Sequence, residues 1–386
     1  MVQKKHRLVS GLSFNKLADL LISAKTTLPA LLIVIGAPAW MVGWLVPIRE
    51  SGALLPQVLI SLYLRNNAAR YKVWRIGICV QIASVVGIIC SALMLEAFFA
   101  GWGILAFLVL LSLGRSACSL TVKDIEADVV PKGERGNLVG MASTISGVMT
   151  LLVAVPLLLL DGTFKDNALY GVLFCAAFSF FLTLFCMFSL KTKVEDNSNG
   201  SGNVFSIKFD KTVYKFVLVR GLFVHSALVA PYFMLENGEN AQKLLPVYIA
   251  AQALASMCSS LLWGKVADYS AKVTLQIAGI LTILSCIGLL VIPSESLLVS
   301  ATLFFVLSIA HAGVRTGRKT YSLDVKEGQE RTELVGFSNT AIGVILLGFG
   351  ALYASLSPFL SFSVVYIMTA MMIVATISTL ILPKEK

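Results

Sequence analysis

The chain has 386 residues, of which 57% are hydrophobic and 13% charged, with a mean hydropathy of +0.84. Soluble domains carry about 25% charged residues, so too few solvating side chains are present for a water-soluble globule. The net charge of +10 does not point to nucleic acid: the basic residues sit in short clusters between apolar runs, and no RNA- or DNA-binding motif accompanies them.

Apolar runs of about 20 residues recur from end to end, the length that a spanning helix needs. Short alternating segments, the mark of a membrane β-barrel, are missing. The sequence therefore predicts an all-α integral membrane protein with twelve transmembrane helices. The spans fall near 13–35, 39–64, 73–95, 98–120, 137–160, 168–190, 213–235, 243–263, 273–293, 296–316, 333–356 and 359–382. Lys4, Lys5, His6 and Arg7 resemble the start of a signal peptide, but Lys16, Asp19 and Lys25 interrupt the next stretch and no small-residue cleavage site appears. The first helix is expected to stay in the mature protein.

The first pair of spans admits a rival division. Residues 8–25 could form an interfacial amphipathic helix, with the first span running from Thr27 to Ile48. That choice leaves only Gly52 to Leu64 for the second span, too short for a hydrocarbon core of about 30 Å. The preferred division gives both helices full length and uses Gly36-Ala37-Pro38 as the turn.

Orientation comes from the Lys/Arg bias. The N-terminal Lys4, Lys5 and Arg7, the Arg65–Arg75 cluster, Lys132, Arg135 and Lys191 through Lys215 fall on one side. Lys265, Lys272, Lys319, Lys326, Arg331, Lys384 and Lys386 fall there too, whereas the opposite loops hold little beyond Lys165 and Lys243. Both termini are thus expected in the cytoplasm, with the chain in the inner membrane. Residues 191–211 are rich in Gly, Ser and Asn and read as a flexible cytoplasmic linker, on which the Asn199-Gly200-Ser201 sequon should be silent. It divides an N-terminal six-helix bundle, 1–190, from a C-terminal one, 212–386.

A repeat supports that division. KDIEADVVPKGERGNLVGMASTISG (123–147) matches KTYSLDVKEGQERTELVGFSNTAIG (319–343) at a constant offset of 196 residues. Lys123 pairs with Lys319, Asp128 with Asp324, Glu134-Arg135 with Glu330-Arg331 and Leu138-Val139-Gly140 with Leu334-Val335-Gly336. Ungapped matches in charged residues, read here as loops, imply a duplicated six-helix unit with parallel halves.

With this layout, Gly264-Lys265-Val266-Ala267-Asp268 at the end of the eighth span resembles the loop motif of the Major Facilitator Superfamily. Tyr269 stands where that motif has a basic residue and Ala271 replaces its second Gly, while Lys272 is retained. In the first half, Arg65 to Lys72 keeps only the basic character. The resemblance implies that Gly264 permits close helix approach and that Asp268 caps a helix or pairs across a cytoplasmic gate. It also implies a monomer, and a central cavity lined by the first, fourth, seventh and tenth helices. The family's antiporter signature is half present: Gly136, Gly140 and Gly147 lie in the fifth span, but no Gly-Pro comes after them.

No HExxH, GxSxG or dinucleotide fingerprint occurs, and Gly313 to Thr320 has the wrong spacing for a phosphate loop. The seven cysteines lie in or beside apolar runs without CxxC or zinc-ligand spacing, so no enzyme, metal or cofactor is expected. The candidate residues are charges inside spans, each costly in lipid and therefore turned towards a bundle interior or water. They are Asp19, Lys25, Arg49, Glu50, Arg115, Arg220, His225, His311 and Arg315. Pro47 and Pro56 flank the most distinctive of them, and broken helices often mark transporter sites. Cations outnumber anions, favouring an anionic or zwitterionic organic solute, with Glu50 and Asp19 as proton-coupling candidates. A drug/proton antiporter, which calls for a more acidic cavity, and a non-transporting receptor or assembly factor on the same fold are the alternatives.

Overall fold

The computed structural model describes residues 2–66, 70–131, 135–159, 163–188, 190, 211–237, 241–292, 296–324 and 328–383, and its regular structure there is entirely helical. Nearly all of the 191–211 linker lies outside the described residues. In chain order the helices are α1 (Val2–Leu21), α2 (Thr27–Val34), α3 (Trp40–Leu54), α4 (Gln57–Asn66), α5 (Arg70–Met94), α6 (Ala97–Val129), α7 (Arg135–Leu158) and α8 (Thr163–Met187). Then come α9 (Lys211–Leu222), α10 (His225–Leu228), α11 (Ala230–Leu235), α12 (Ala241–Tyr269), α13 (Ala271–Val291), α14 (Leu297–Asp324), α15 (Gly328–Leu356) and α16 (Val365–Ser378).

Eight described segments are long and apolar enough to cross a membrane, and a ninth counts if the bent α12 is one span. Their outward faces carry large apolar side chains such as Trp102, Phe178, Phe185, Leu284 and Val291, which suit lipid rather than water. Buried hydroxyls are satisfied within their own helices: Ser91, Ser112, Thr150 and Thr282 each donate to the carbonyl four residues back, at 2.7–2.9 Å. Small residues let helices touch. A Cβ on Gly77 would lie 2.9 Å from the Gly114 carbonyl oxygen, and one on Gly114 2.7 Å from that of Gly77, so α5 and α6 meet backbone to backbone.

The first two predicted spans are each broken: α1 is long but interrupted by Lys4, Lys5, Arg7, Lys16 and Asp19, and α2, α3 and α4 are each too short to cross a membrane alone. Gly36, at φ 73°, makes the turn between the two spans, where the sequence placed it. Above that turn Pro29 has no N–H for the Lys25 carbonyl, and the first helix is interrupted between Leu21 and Thr27. In the second, Pro47 is carried within α3 and the interruption comes at Leu55-Pro56. Arg49 and Glu50 are thus helical, not in a loop. The seventh span is also broken, at a place where its sequence pattern gives no sign. There His225 Nδ1 binds the Leu222 carbonyl at 2.6 Å and Ser226 Oγ the Phe223 carbonyl at 2.9 Å, so side chains satisfy the carbonyls that the interruption frees.

Two further expectations need correction. The starts of the repeated segments, 123–129 and 319–324, are not loops but continuations of α6 and α14. Beyond the apolar run, water accepts a polar helix as readily as lipid accepts an apolar one, so propagation does not stop at the hydropathy boundary. The last span starts late: Ser357–Phe359 is a 3₁₀ turn, and α16 begins only at Val365.

Helices from the two ends of the sequence interlock through α3 against α15 and α7 against α12. On the first pair, Gly43 faces Ala354, Pro47 faces Gly350 and Leu55 faces Gly343, an antiparallel run of small contacts. On the second, Gly147 faces Met257, while none of the described residues lies within 4 Å of a Cβ on Gly140 or Gly264. These two pairs are closed over the stretch from the Gly36 turn to mid-helix and open towards the ends of α6 and α14.

Candidate functional site

That opening leads into a cavity of about 590 Å³ lined by α1, α3, α5, α6, α7, α8, α12 and α14 together with the α1–α2 break. Lys123, Glu126 and Lys319 stand at its mouth, and Lys25, Val46 and Arg49 lie in its interior. A side chamber of about 170 Å³ shares Leu20, Lys25, Gln252, Ser256 and Arg315 with it and adds Ser226, Ser259, Ser308 and His311.

The arrangement of charge is specific. Arg49, 4% exposed, donates from Nη2 to Asp19 Oδ1 at 2.5 Å, and Arg115 Nη1 stands 3.5 Å from the same oxygen. One carboxylate on α1 thus ties α3 to α6. Arg49 Nη1 is buried without a hydrogen-bond partner. Adjacent residues on a helix point about 100° apart, so Glu50 takes a different direction from Arg49. It lines the cavity within the electrostatic reach of Lys25, Arg115, Arg315 and Arg318. Lys16, also in the wall, donates to the Val139 carbonyl at 3.0 Å and to Ser143 Oγ.

Of the residues singled out from sequence, the cavity gathers Asp19, Lys25, Arg49, Glu50 and Arg115, the side chamber holds His311, and Arg315 lines both. Arg220 and His225 line neither. Arg220, 9% exposed, donates to Ser338 Oγ and Asn339 Oδ1, each at 2.6 Å, and so braces α9 against α15. His225 is fully buried, its Nε2 2.7 Å from the Tyr353 hydroxyl. A carbonyl only accepts, so Nδ1 bears the proton shared with Leu222 and Nε2 accepts from Tyr353 in the neutral ring.

The gate motif lies at the far end of α12, away from the cavity. Asp268 is exposed, and the cap of α13 is supplied instead by Ser270, whose Oγ accepts from the Val273 N–H at 3.2 Å. Lys272 Nζ donates to the Leu382 carbonyl at 3.3 Å, and a Cβ on Gly264 would meet none of the described residues. Lys16 and Gln252 line the site, and Arg318 acts on Glu50 and His311 from outside the wall; none of the three is among the sequence candidates. Lys16 and Gln252 are visible as polar residues within predicted spans, whereas Arg318 lies in a basic run beyond the predicted end of its span. Among the described residues, no group of three His, Cys, Asp or Glu side chains could hold a metal.

No family model and no curated protein sequence matches the chain. Solved structures do, over its whole length. The nucleoside transporter NupG superposes with a TM-score of 0.75 at 11% identity, covering 100% of both chains. This is the major facilitator fold. The xylose transporter XylE from E. coli, in an inward open conformation, gives a TM-score of 0.69 at 13% identity over 98% of this chain and 95% of that one. A POT family transporter in complex with 5-aminolevulinic acid gives 0.70 at 12% identity over 98% and 94%.

Proposed function

We propose that the chain is a secondary transporter of the major facilitator type that moves a small anionic or zwitterionic organic solute by alternating access. On this reading it has twelve spans in two six-helix halves, 1–190 and 212–386, joined by the 191–211 linker. It works as a monomer in the inner membrane with both termini in the cytoplasm. The observation that carries the substrate charge is the cavity wall, where Lys16, Lys25, Arg49, Arg115, Lys123, Arg315 and Lys319 face only Asp19, Glu50 and Glu126. A low-dielectric cleft lined by one sign of charge concentrates ions of the other. The same surplus weighs against a carrier of cationic drugs.

With the Lys/Arg-rich loops in the cytoplasm, the open mouth between Lys123 and Lys319 faces inward and the closed contact of α3 with α15 faces the periplasm. Switching these two closures gives the alternate state. Lys25, Arg49, Arg115 and Arg315 hold the solute, and Glu50 or Asp19 exchanges a proton if the cycle is proton-coupled. The test is counterflow in proteoliposomes preloaded with a mixture of organic anions or amino acids, with and without a pH gradient. Flux that is lost in Lys25→Ala and Arg315→Ala supports the reading. No flux from either pool, in liposomes where the protein is folded and correctly inserted, overturns it in favour of a receptor.

A further inference from the structure

The cavity's charges are not equivalent, and the difference bears on what it binds. The Asp19 carboxylate is engaged by Arg49 and Arg115. Lys16 is engaged by the Val139 carbonyl and Ser143. Among the described residues, the ammonium of Lys25 and the guanidinium groups of Arg315 and Arg318 have no hydrogen-bond partner and no carboxylate within 4.0 Å. All three act on Glu50 through space, and all three also act on His311 in the side chamber. In the cavity wall the unengaged Lys25 and Arg315, with Lys123 and Lys319 towards the mouth, thus stand with the single unengaged carboxylate of Glu50.

The side chamber has a different chemistry. Ser308 Oγ, Gln252 Nε2 and His311 Nε2 have no hydrogen-bond partner among the described residues, and the serine hydroxyls of Ser226, Ser256 and Ser259 stand beside them. Unpaired polar groups in a confined site select a ligand that supplies partners for them. Hydroxyl groups do so without bringing charge. Lys25 and Arg315 stand on the boundary between the two spaces.

Resting on the transport reading above, we propose that the site takes an organic dianion: a phosphate ester or a dicarboxylate, attached to a hydroxylated body. The head lies between Lys25 and Arg315, and the body enters the chamber of Gln252, Ser308 and His311. Glu50 is the site's own counter-ion, offsetting the mutual repulsion of the cations in the empty protein, and is not the ligand of a substrate ammonium. With Lys123 and Lys319 towards the mouth, the wall holds more unengaged cations than Glu50 can offset, which favours a ligand carrying more than one negative charge.

A zwitterionic substrate makes the opposite demand on Glu50, and this separates the two cases. Binding to the purified protein in detergent is measured by calorimetry with glucose 6-phosphate, glucose, inorganic phosphate, malate, lactate and glycine. The dianions should bind more tightly than lactate, and glucose 6-phosphate or malate should exceed inorganic phosphate and glucose by about tenfold or more. Whichever of those two binds identifies the head. Glu50→Gln should strengthen dianion binding several-fold, Lys25→Met should weaken it and narrow the margin over lactate, and Ser308→Leu should remove the advantage of the hydroxylated body. Weaker binding in Glu50→Gln, a preference for glycine or lactate, or no dianion binding by folded protein overturns the proposal. In the first two of those outcomes solute still binds at the cavity, so the transport reading would stand while this inference fell.

Discussion

Lys16 and Arg220 each tie two helices together at corresponding places of the repeated segment. Lys16, on α1, donates to Ser143 Oγ on α7, and Arg220, on α9, donates at 2.6 Å to Asn339 Oδ1 on α15. Ser143 and Asn339 occupy the same place in the repeated segment, at its constant offset of 196 residues. The repeated segment thus carries a strut at the same place in both copies, from α1 to α7 and from α9 to α15, with both partners changed.

The struts should differ in weight. Each makes two bonds, but those of Lys16 to Val139 and Ser143 are exposed or half-buried, whereas Arg220 is buried and its Nε has no partner among the described residues. A hydrogen bond from a charged group contributes about 1.5–3 kcal/mol, and a buried charge stripped of partners costs more than the bond itself. Asn339→Leu should therefore lower the melting temperature in detergent more than Ser143→Ala does. Arg220→Met combined with Asn339→Leu should recover part of the loss. If Asn339→Leu melts like the parent protein, the strut carries no stability.

Asp19 offers a second test by the same logic. Removing its charge leaves the buried Arg49 beside Arg115 without a hydrogen-bonded carboxylate and with only Glu50 acting through space to offset them, at a cost of up to about 3–5 kcal/mol. Asp19→Asn should lower stability or yield of folded protein sharply, and Asp19→Asn with Arg49→Met should restore it. Rescue of stability without rescue of flux would separate a structural from a transport role for the pair. Unchanged stability in Asp19→Asn would show that Arg49 finds another partner.

The closed side can be locked covalently. A Cβ on Gly43 would lie 3.4 Å from Ala354 Cβ, close to the separation that a disulfide bridges. Gly43→Cys with Ala354→Cys should cross-link under mild oxidation, stop flux and recover it on reduction, while leaving anion binding from the open side intact. Cross-linked protein that still transports would mean that α3 and α15 need not part.

Much of this is legible in the sequence because lipid imposes simple rules. Apolar runs, the Gly36 turn, the repeat and most cavity charges follow from composition and the cost of burying charge. The direction in which a charge points does not. Arg49 and Arg220 look alike in an apolar run, yet one lines the cavity and the other braces a helix, because their partners lie 30 or more residues away. The seventh-span break is hidden for a related reason: His225 and Ser226 replace lost backbone bonds, and a side chain bonding to its own backbone leaves no periodic signal. Lys16 is ambiguous although it stands in a span, since a lysine near a helix end reads equally well as a topology signal.

The open ends of α7 and α12 give the sharpest test of the cycle. The two helices touch where Gly147 meets Met257, but at Gly140 and Gly264 a Cβ would meet none of the described residues. Glycine there has no packing role in this conformation, and it costs about 1 kcal/mol relative to alanine within a helix. If the mouth closes in the alternate state, those residues are brought towards the facing helix, and the exposed Asp268 gains groups to pair with. Gly140→Leu and Gly264→Leu should then leave stability and anion affinity in the open state unchanged or slightly improved. Flux should fall about tenfold or more, the loss appearing in kcat with little change in KM. Asp268→Asn should show the same pattern in milder form. Wild-type flux in both glycine variants would mean that α7 and α12 never approach at this end, and that the cavity is closed by some other pair of helices.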